Sequence, residues 1–318
     1  MLDTMSYSPN FSWTGRNDGD GPEHARWFST ITPFPFNPLG TEPHNEDLAN
    51  SVTLLGFASD EGVRRNHGRA GAAEGPQAAL TALGSLAVHH EISTFDAGII
   101  AVDDGDLESG HQDLTTAVSR IASTNSTCIV VGGGHETAYG THMGLVQAAN
   151  GASIGIINFD AHFDLRTADQ PTSGTPFKQI SREVDPFNYT VIGISRPNNT
   201  RVLFDEADAL DVRYVTDDEL RRTGVEEIVA WAASQVDILH VSIDLDVLPA
   251  SVAPGVSAPA AVGVDLNTIR DGLAACMRTG KVRLIDIVEL NPTFDVDNRT
   301  AKVAARLISN ATQWLEDQ

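Results

Sequence analysis

The chain reads Ser153-Ile154-Gly155-Ile156-Ile157-Asn158-Phe159-Asp160-Ala161-His162-Phe163-Asp164-Leu165-Arg166, an apolar run followed by two aspartates and a histidine. An apolar run that does not alternate with polar residues is typical of a parallel strand covered on both faces. Similar runs recur, and with this one they number about eight. The others are Val52–Phe57, Ile92–Ala97, Thr127–Val131, Tyr189–Ile194, Val212–Val215, Ile238–Ile243 and Val282–Val288.

Longer amphipathic stretches lie between these runs, and their spacing predicts helices. They are Glu74–Leu86, His111–Ser123, Thr137–Ala149, Asp217–Arg222, Val225–Ser234, Leu266–Thr279 and Thr300–Leu315. Alternating strands and helices predict a three-layer α/β/α sandwich around a mostly parallel sheet of about eight strands. We expect residues 1–318 to form a single domain. Residues 1–50 are rich in Gly, Pro and Asn, and we expect an irregular arm packed on the body through Trp13, Trp27 and Phe28.

The composition excludes several classes of protein. The chain has 21 basic and 43 acidic residues, a net charge of −22 and a pI near 4.6. Such a surface repels phosphates and anionic lipids, so nucleic acid and membranes are poor partners. The two cysteines form no CxxC motif, no run approaches the ~20 apolar residues of a membrane span, and Met1–Ser6 lacks a leader pattern. We therefore expect a reduced, cytoplasmic protein.

Polar side chains follow four of the apolar runs. In parallel α/β sheets, ligands bind beyond the carboxyl ends of the strands, so these side chains should meet at one edge. The period-two spacing of Asp160, His162 and Asp164 predicts that they share one side of an extended segment, and the same holds for Asp244 and Asp246. The residues delivered to this edge are His135, Asp160, His162, Asp164, Asp244, Asp246 and Glu289.

Four neighbouring aspartates need counterions. Without them the carboxylates would repel one another, and some would bind protons. Two divalent cations balance the four negative charges, and two imidazoles complete a largely oxygen-rich ligand shell with room for a shared water. This combination indicates a two-metal hydrolytic site. Manganese is favoured over zinc because four of the six ligands are carboxylates and none is a thiolate.

Each motif alone has a plainer interpretation. Asp160-Ala161-His162-Phe163-Asp164 resembles an ordinary polar loop, and Asp244-Leu245-Asp246 resembles a strand-end turn or a helix N-cap. Gly132-Gly133-Gly134 fits a tight turn or a phosphate-binding loop. The phosphate interpretation is weak, because the GxGxxG pattern fails at Thr137 and no Lys-Ser/Thr follows. The four motifs together, each at the end of an apolar run, favour the metal site.

Three motifs together resemble the arginase/agmatinase ureohydrolase family. They are Gly132–Glu136, Asp160–Asp164 and Ser242–Asp246, the last followed by Pro249 and Ala253-Pro254-Gly255. The resemblance covers about 50–318 and implies a sheet of eight parallel strands. Within the family, the chain is most similar to the branch that hydrolyses N-formimidoyl-L-glutamate in histidine degradation. The segments that support this are Trp13–Arg16, Gly62–Asn66, Gly71–Pro76 and Ser173–Phe177.

The resemblance also implies roles for individual residues. Two Mn²⁺ ions per subunit would be bound, one by His135, Asp160, Asp164 and Asp244, the other by Asp160, His162, Asp244 and Asp246. Glu289 would bind the cationic amidine, and Ser173 matches a serine of the family's substrate pocket. Asp164 would take the proton of the attacking water and pass it to the leaving nitrogen.

Two positions depart from the arginases. Phe177 stands where they carry a proton-shuttling histidine, and Arg166 stands where they carry an asparagine near the substrate carboxylate. A glutamate product has two carboxylates, so cationic partners are expected despite the acidic surface. Planar guanidinium groups suit this role, and Arg166, Arg196 and Arg69 all follow strand ends.

The resemblance implies conversion of N-formimidoyl-L-glutamate and water to L-glutamate and formamide, and a homo-oligomer. Two other classes stay open: another ureohydrolase, such as an agmatinase or guanidinobutyrase, and a metal-binding regulatory or structural protein. A nicotinamide dehydrogenase would share the alternation of strands and helices, but its glycine fingerprint is missing.

Overall fold

The computed structural model describes residues 7–220 and 222–316, and one mostly parallel sheet crosses it. Its strands within these residues are β1 Tyr7–Ser8, β2 Thr32–Pro33, β3 Ser51–Ala58, β4 Ser93–Ala101, β5 Thr127–Gly132, β6 Ile154–Phe159, β7 Asn188–Ile194, β8 Arg213–Thr216, β9 Ile238–Asp244 and β10 Val282–Val288. All eight predicted strands are confirmed. The resemblance implied only parallel strands, whereas β1 runs antiparallel to β4.

The strand order is β1-β4-β3-β5-β10-β9-β6-β7-β8, and β2 also pairs with β4. Every pairing apart from that of β1 with β4 is parallel. The last strand along the chain, β10, therefore lies between β5 and β9 in the middle of the sheet. The four runs that carry the polar motifs, β5, β10, β9 and β6, are consecutive neighbours.

Helices cover both faces of the sheet, which confirms the predicted three layers. Alternate strand residues enter different cores: Ile129 and Val131 pack into one hydrophobic cluster, whereas Cys128 and Val130 pack into another. The helices are α1 Trp27–Thr30, α2 Glu61–Arg65, α3 Gly75–Gly84, α4 Leu107–Ala122, α5 Thr137–Ala148, α6 Pro176–Glu183, α7 Arg201–Ala209, α8 Asp217–Leu220, α9 Val225–Ser234, α10 Leu266–Arg278 and α11 Arg299–Glu316.

Four of these helices were not predicted from the sequence, and the predicted end of a fifth was wrong. Helices α1 and α2 are too short to show a helical period, α6 is mostly polar, and α7 combines five apolar with four charged residues. Helix α8 was expected to reach Arg222 but ends at Leu220. Position 221 lies outside the described residues.

The described part of the arm packs on the body. The Trp27 side chain is fully buried. The Asp96 carboxylate in β4 accepts hydrogen bonds from the Phe11 backbone N–H at 2.7 Å and from Trp13 Nε1 at 2.9 Å. Residues 1–6, on which the expectation about a leader rests, lie outside the described residues. The single-domain organisation stays a prediction.

Both cysteines, Cys128 and Cys276, are buried and free. Among the described residues, none of the helices combines the length and the apolar character that crossing a membrane requires.

Candidate metal centre

The polar motifs meet because their four strands are neighbours with the same direction. The carboxyl ends of β5, β10, β9 and β6 lie side by side at one edge of the sheet. His135 follows β5, Glu289 follows β10, Asp244 ends β9 and Asp160 follows β6. Residues that are more than a hundred positions apart in the sequence therefore converge.

The backbone that carries these side chains is turned rather than extended, so the period-two prediction was wrong. Strand β6 ends at Phe159, and Asp164 adopts a left-handed φ of 49°. The Asp160 carboxylate accepts a hydrogen bond from the His162 N–H at 2.7 Å. The Asp244 carboxylate likewise accepts one from the Asp246 N–H at 2.8 Å and caps a 3₁₀ turn. Such local bonds fold the chain back on itself, which alternation alone does not predict.

Two groups of possible metal ligands result. His135 Nδ1 lies 3.1 Å from Asp160 Oδ2, 3.0 Å from Asp164 Oδ2 and 3.1 Å from Asp244 Oδ2. His162 Nδ1 lies 3.1 Å from Asp246 Oδ2 and 3.6 Å from Asp160 Oδ1. The groups are His135, Asp160, Asp164 and Asp244, and Asp160, His162 and Asp246. We call these six residues the floor of the site.

Asp160 stands between the two groups, since one of its oxygens faces each of them. Asp244 belongs only to the first group, although the resemblance implies that it serves both ions. Its bridging role therefore stays a prediction.

A buried hydrogen-bond chain fixes the tautomer of His135. Although burial opposes ionisation, the His240 side chain and the Ser242 hydroxyl hold the pKa of Asp286 below its usual value. An ionised carboxylate only accepts, so the Ser242 hydroxyl donates to Asp286 Oδ1. The Ser242 oxygen is then an acceptor for the His135 Nε2–H, 2.9 Å away. The Nδ1 lone pair is left to face the three carboxylates, as a metal ligand requires.

The floor needs positive charge at its centre. Burial by itself lowers the pKa of His135, but Asp160, Asp164 and Asp244 raise it well above the usual value. Burial and the neighbouring acids Asp246 and Asp160 raise the pKa of Asp244 well above its usual range. Burial likewise raises the pKa of Asp246 to about 6. His135 Nδ1, fully buried, has no hydrogen-bond partner of its own. The raised pKa of His135 places a proton on Nδ1 between the three carboxylates; a metal cation would replace this proton, and the oxygen-rich donor set fits manganese.

A cavity of about 270 Å³ opens above the floor, and Glu289 reaches into it. Glu289 Oε1 accepts the His135 backbone N–H at 2.9 Å, whereas Oε2 is buried without a partner. Burial, Asp244 and Glu136 raise the pKa of this carboxyl well above its ordinary value. A cationic group in the cavity would therefore find a carboxylate oxygen that lacks a counterion.

The residues predicted to contact the substrate differ in where their side chains lie. Arg166 and Ser173 line the cavity, and so does Arg69. The Arg69 guanidinium, however, donates to the backbone carbonyls of Val256 and Ser257 and lies 3.9 Å from the Phe294 ring centroid. Two of the three nitrogens of the Arg69 guanidinium therefore already have hydrogen-bond partners.

Arg196 is not among the residues that line the cavity. Its guanidinium lies 5.4 Å from the ring centroid of Phe204. The expected contact with substrate therefore lacks support, because the Arg196 guanidinium lies beside Phe204 and Arg196 does not line the cavity.

Sequence reasoning missed the Asn66 side chain, which also lines the cavity and donates to Ser173 Oγ at 3.1 Å. We call Asn66, Arg69, Arg166 and Ser173 the rim of the site. In the sequence, the segment Gly62–Asn66 indicates only the resemblance to the family. The feature of the sequence that could have indicated Asn66 is its position after the first long strand, at the same edge of the sheet.

Phe177 occupies the place of the arginase histidine. Its fully buried ring meets the His135 ring edge-on at 5.2 Å and stacks on Tyr189 at 4.4 Å. This side chain cannot carry a proton, and it forms part of the apolar wall beside the floor.

The three glycines before His135 form a tight turn, the plainer of the two interpretations. A Cβ at Gly133 would lie 1.7 Å from the Ser59 carbonyl oxygen, so only glycine allows this approach.

Three comparisons with known proteins bear on this geometry. A sequence profile described as the arginase family matches residues 50–313. The chain is 47% identical over 318 residues to the formimidoylglutamase of Rhodococcus opacus, with 97% of this chain and 96% of that protein covered. It is 43% identical to the formimidoylglutamase of Aeromonas salmonicida, covering 98% and 100%. A crystal structure of Trypanosoma cruzi formiminoglutamase with Mn²⁺ superposes with a TM-score of 0.79 at 27% identity, covering 87% and 96%.

Proposed function

Because this chain belongs to the arginase family and is a hydrolase of an amidine C–N bond, we propose a binuclear manganese formimidoylglutamase of histidine degradation. It converts N-formimidoyl-L-glutamate and water to L-glutamate and formamide. One observation carries the proposal: two groups of metal-ligand side chains share Asp160 beneath a cavity that Glu289 enters.

The floor residues would hold the two ions. His135, Asp160, Asp164 and Asp244 form one ligand group, and Asp160, His162 and Asp246 form the other. When bound, the ions would lower the pKa of a water in the site, so that hydroxide would be available near neutral pH.

Glu289 orients the substrate. The formimidoyl group is a cationic amidine, and its N–H groups match the free oxygen of the Glu289 carboxylate. Burial strengthens this pair because little water competes for either partner. The pairing fixes the direction from which the amidine carbon is attacked.

Asp164 transfers a proton from the attacking water to the leaving nitrogen. Burial and the nearby Asp160 raise the pKa of the Asp164 carboxyl above its usual value, which suits a group that must hold a proton briefly. It takes the proton that the nucleophilic water releases and delivers it to the glutamate nitrogen as the C–N bond breaks. The remaining hydroxyl proton leaves as the formamide carbonyl forms and is taken up by the amine, so the products are formamide and glutamate with an ammonium group, which keeps the charge of the cationic amidine.

Arg166 holds a carboxylate of the glutamate part. It is exposed at the mouth of the cavity, and its backbone N–H donates to the Gly174 carbonyl at 3.0 Å. A guanidinium can bind a carboxylate through two parallel hydrogen bonds.

Another ureohydrolase activity is the main competing function. Agmatine and guanidinobutyrate carry fewer carboxylates, so a rim with arginines suits them less well. A metal-binding protein without turnover is disfavoured, since all six floor residues and Glu289 are present. A cytoplasmic location and a homo-oligomeric state stay predictions.

A substrate panel tests the proposal. Purified protein loaded with Mn²⁺ is given formimidoylglutamate, agmatine, guanidinobutyrate and arginine, while formamide, urea and ammonia are measured. We expect formamide from formimidoylglutamate alone, and loss of the activity after chelation until Mn²⁺ returns. Urea release from a guanidine substrate at a matching rate would transfer the assignment to another ureohydrolase.

A further inference from the structure

Arg65 joins two walls of the cavity. It is the last residue of α2, and it is followed by Asn66, which lines the cavity. Its side chain is 14% exposed. The second wall comes from the loop before α6, which carries Pro171, Ser173 and Gly174.

All five N–H groups of the Arg65 guanidinium are used. Nε donates to Glu61 Oε1 at 2.9 Å. One terminal nitrogen donates to Glu108 Oε1 at 2.8 Å and to the Pro171 carbonyl at 3.3 Å. The other donates to Glu108 Oε2 at 2.9 Å and to the Gly105 carbonyl at 3.1 Å. A single side chain thereby links α2, α4 and the loops before α4 and α6.

The hydrogen bond from Arg65 to the Pro171 carbonyl restrains the loop that carries the rim residue Ser173. Pro171 lies two residues before Ser173, which accepts a hydrogen bond from Asn66 at 3.1 Å. The Gly174 carbonyl in turn accepts the backbone N–H of Arg166 at 3.0 Å. Asn66, Ser173 and Arg166 therefore form one continuous polar wall, and Arg65 holds it from behind.

We propose that Arg65 is a positioning residue, which holds Asn66 and Ser173 together and so sets how tightly the glutamate part of the substrate binds. The proposal rests on the proposed function for the identity of the ligand. Arg65 does not line the cavity, so it acts through Asn66 and the loop of Ser173.

The substitution Arg65→Lys tests the planar guanidinium, because an ammonium has three donors and cannot bind Glu108 through two parallel hydrogen bonds. In Arg65→Lys we expect the KM for formimidoylglutamate to rise about tenfold, as the loss of one well-placed hydrogen bond predicts. The kcat and the manganese content should stay within about twofold, since the floor is untouched. The matched control is Arg64→Lys, the adjacent arginine, which is 57% exposed and pairs with Glu61.

Hydrogen exchange gives a second measurement that does not depend on the substrate. In Arg65→Lys the amides of residues 66–69 and 172–175 should exchange faster, whereas those of β10 should not change. If the wild type fails to hydrolyse formimidoylglutamate, the proposed function falls, but the exchange comparison still decides the role of Arg65.

Glu108→Gln offers an independent route, since this carboxylate is 45% exposed and its loss should not prevent folding. The KM should rise in this variant too, by less than in Arg65→Lys. An unchanged KM with unchanged exchange in both variants would overturn the proposal. A parallel fall of kcat and manganese content would overturn it as well, because it would make Arg65 a support of the whole fold.

Discussion

The floor and the rim of the cavity are built differently. The floor residues follow directly from the central strands β5, β9 and β6, and they are buried or nearly so. The rim residues come from loops after β3 and β6, and Arg166 is exposed. Strand ends in the middle of a sheet leave little freedom, whereas loops depend on contacts with other loops.

This difference indicates that the floor determines the chemistry and the rim determines the substrate specificity. Metal ligands must be held rigidly, and the central strands and the Ser242–Asp286 pair provide that rigidity. Substrate choice can vary on the same floor, because the rim loops change without disturbing the sheet. Four substitutions test this division, from the most to the least damaging.

Asp244→Ala should damage the floor most. If the carboxylate serves both ions, its loss should weaken metal binding by more than the ~10–100-fold that the loss of an outer hydrogen-bond partner costs. Asp246→Ala is the control, because that residue belongs to one ligand group only. Elemental analysis should find less manganese in Asp244→Ala than in Asp246→Ala. Equal retention of two ions in both variants would remove Asp244 from the bridge.

Ser242→Ala tests the support beneath the floor. The substitution leaves the His135 Nε2–H and one oxygen of Asp286 unpaired, so the imidazole loses its fixed tautomer. We expect manganese affinity to fall about 10–100-fold, with a matching shift in the metal concentration that restores activity.

Thr141→Val is the control for Ser242→Ala, because Thr141 also donates to Asp286, at 2.9 Å, but does not contact His135. A similar loss of affinity in both variants would assign the effect to Asp286 rather than to the tautomer of His135.

Arg166→Ala tests the rim. Loss of a charged hydrogen bond of roughly 1.5–3 kcal/mol should raise the KM for formimidoylglutamate by about one to two orders of magnitude. Both metals should stay bound, and Arg166→Lys should recover only part of the affinity because an ammonium lacks the fork. A KM that does not change would show that other groups bind the carboxylates.

Arg196→Ala should have the smallest effect. Since its guanidinium lies over Phe204 and outside the cavity, the KM should stay within about twofold of the wild type. Stability should fall by no more than about 0.5–1 kcal/mol, the usual contribution of an exposed cation–π contact, as measured by urea unfolding. A tenfold rise in KM would return Arg196 to the site.

The sequence predicted the strands and the place of the site because both follow from buried apolar runs and the polar residues after them. It did not predict how Asp160 and Asp244 turn the chain, because that depends on their side chains bonding to backbone N–H groups two residues on. The family resemblance implied a bridging role for both residues, and the geometry supports only that of Asp160.

The rim could not be derived in the same way. Arg69, Arg166 and Arg196 look alike in the sequence, since each follows a strand end. Their different surroundings depend on Ser257, Gly174 and Phe204, which are close only in the folded chain. Ser257 is 188 positions from Arg69, whereas Gly174 and Phe204 are each eight positions from their arginine, and the periodicity of the sequence carries no information about any of these contacts.

The central position of β10 has a consequence for synthesis of the protein. This strand is the last along the chain, yet it pairs with β5 on one side and β9 on the other. Until residues 282–288 have left the ribosome, the middle of the sheet has a gap, and β5 and β9 each lack a neighbour. His135 and Asp244 cannot be fixed beside each other before that gap closes. The ligand group that contains His135 is therefore completed late, after the most distant strand pairings have formed, whereas Asp160, His162 and Asp246 follow the directly paired strands β6 and β9.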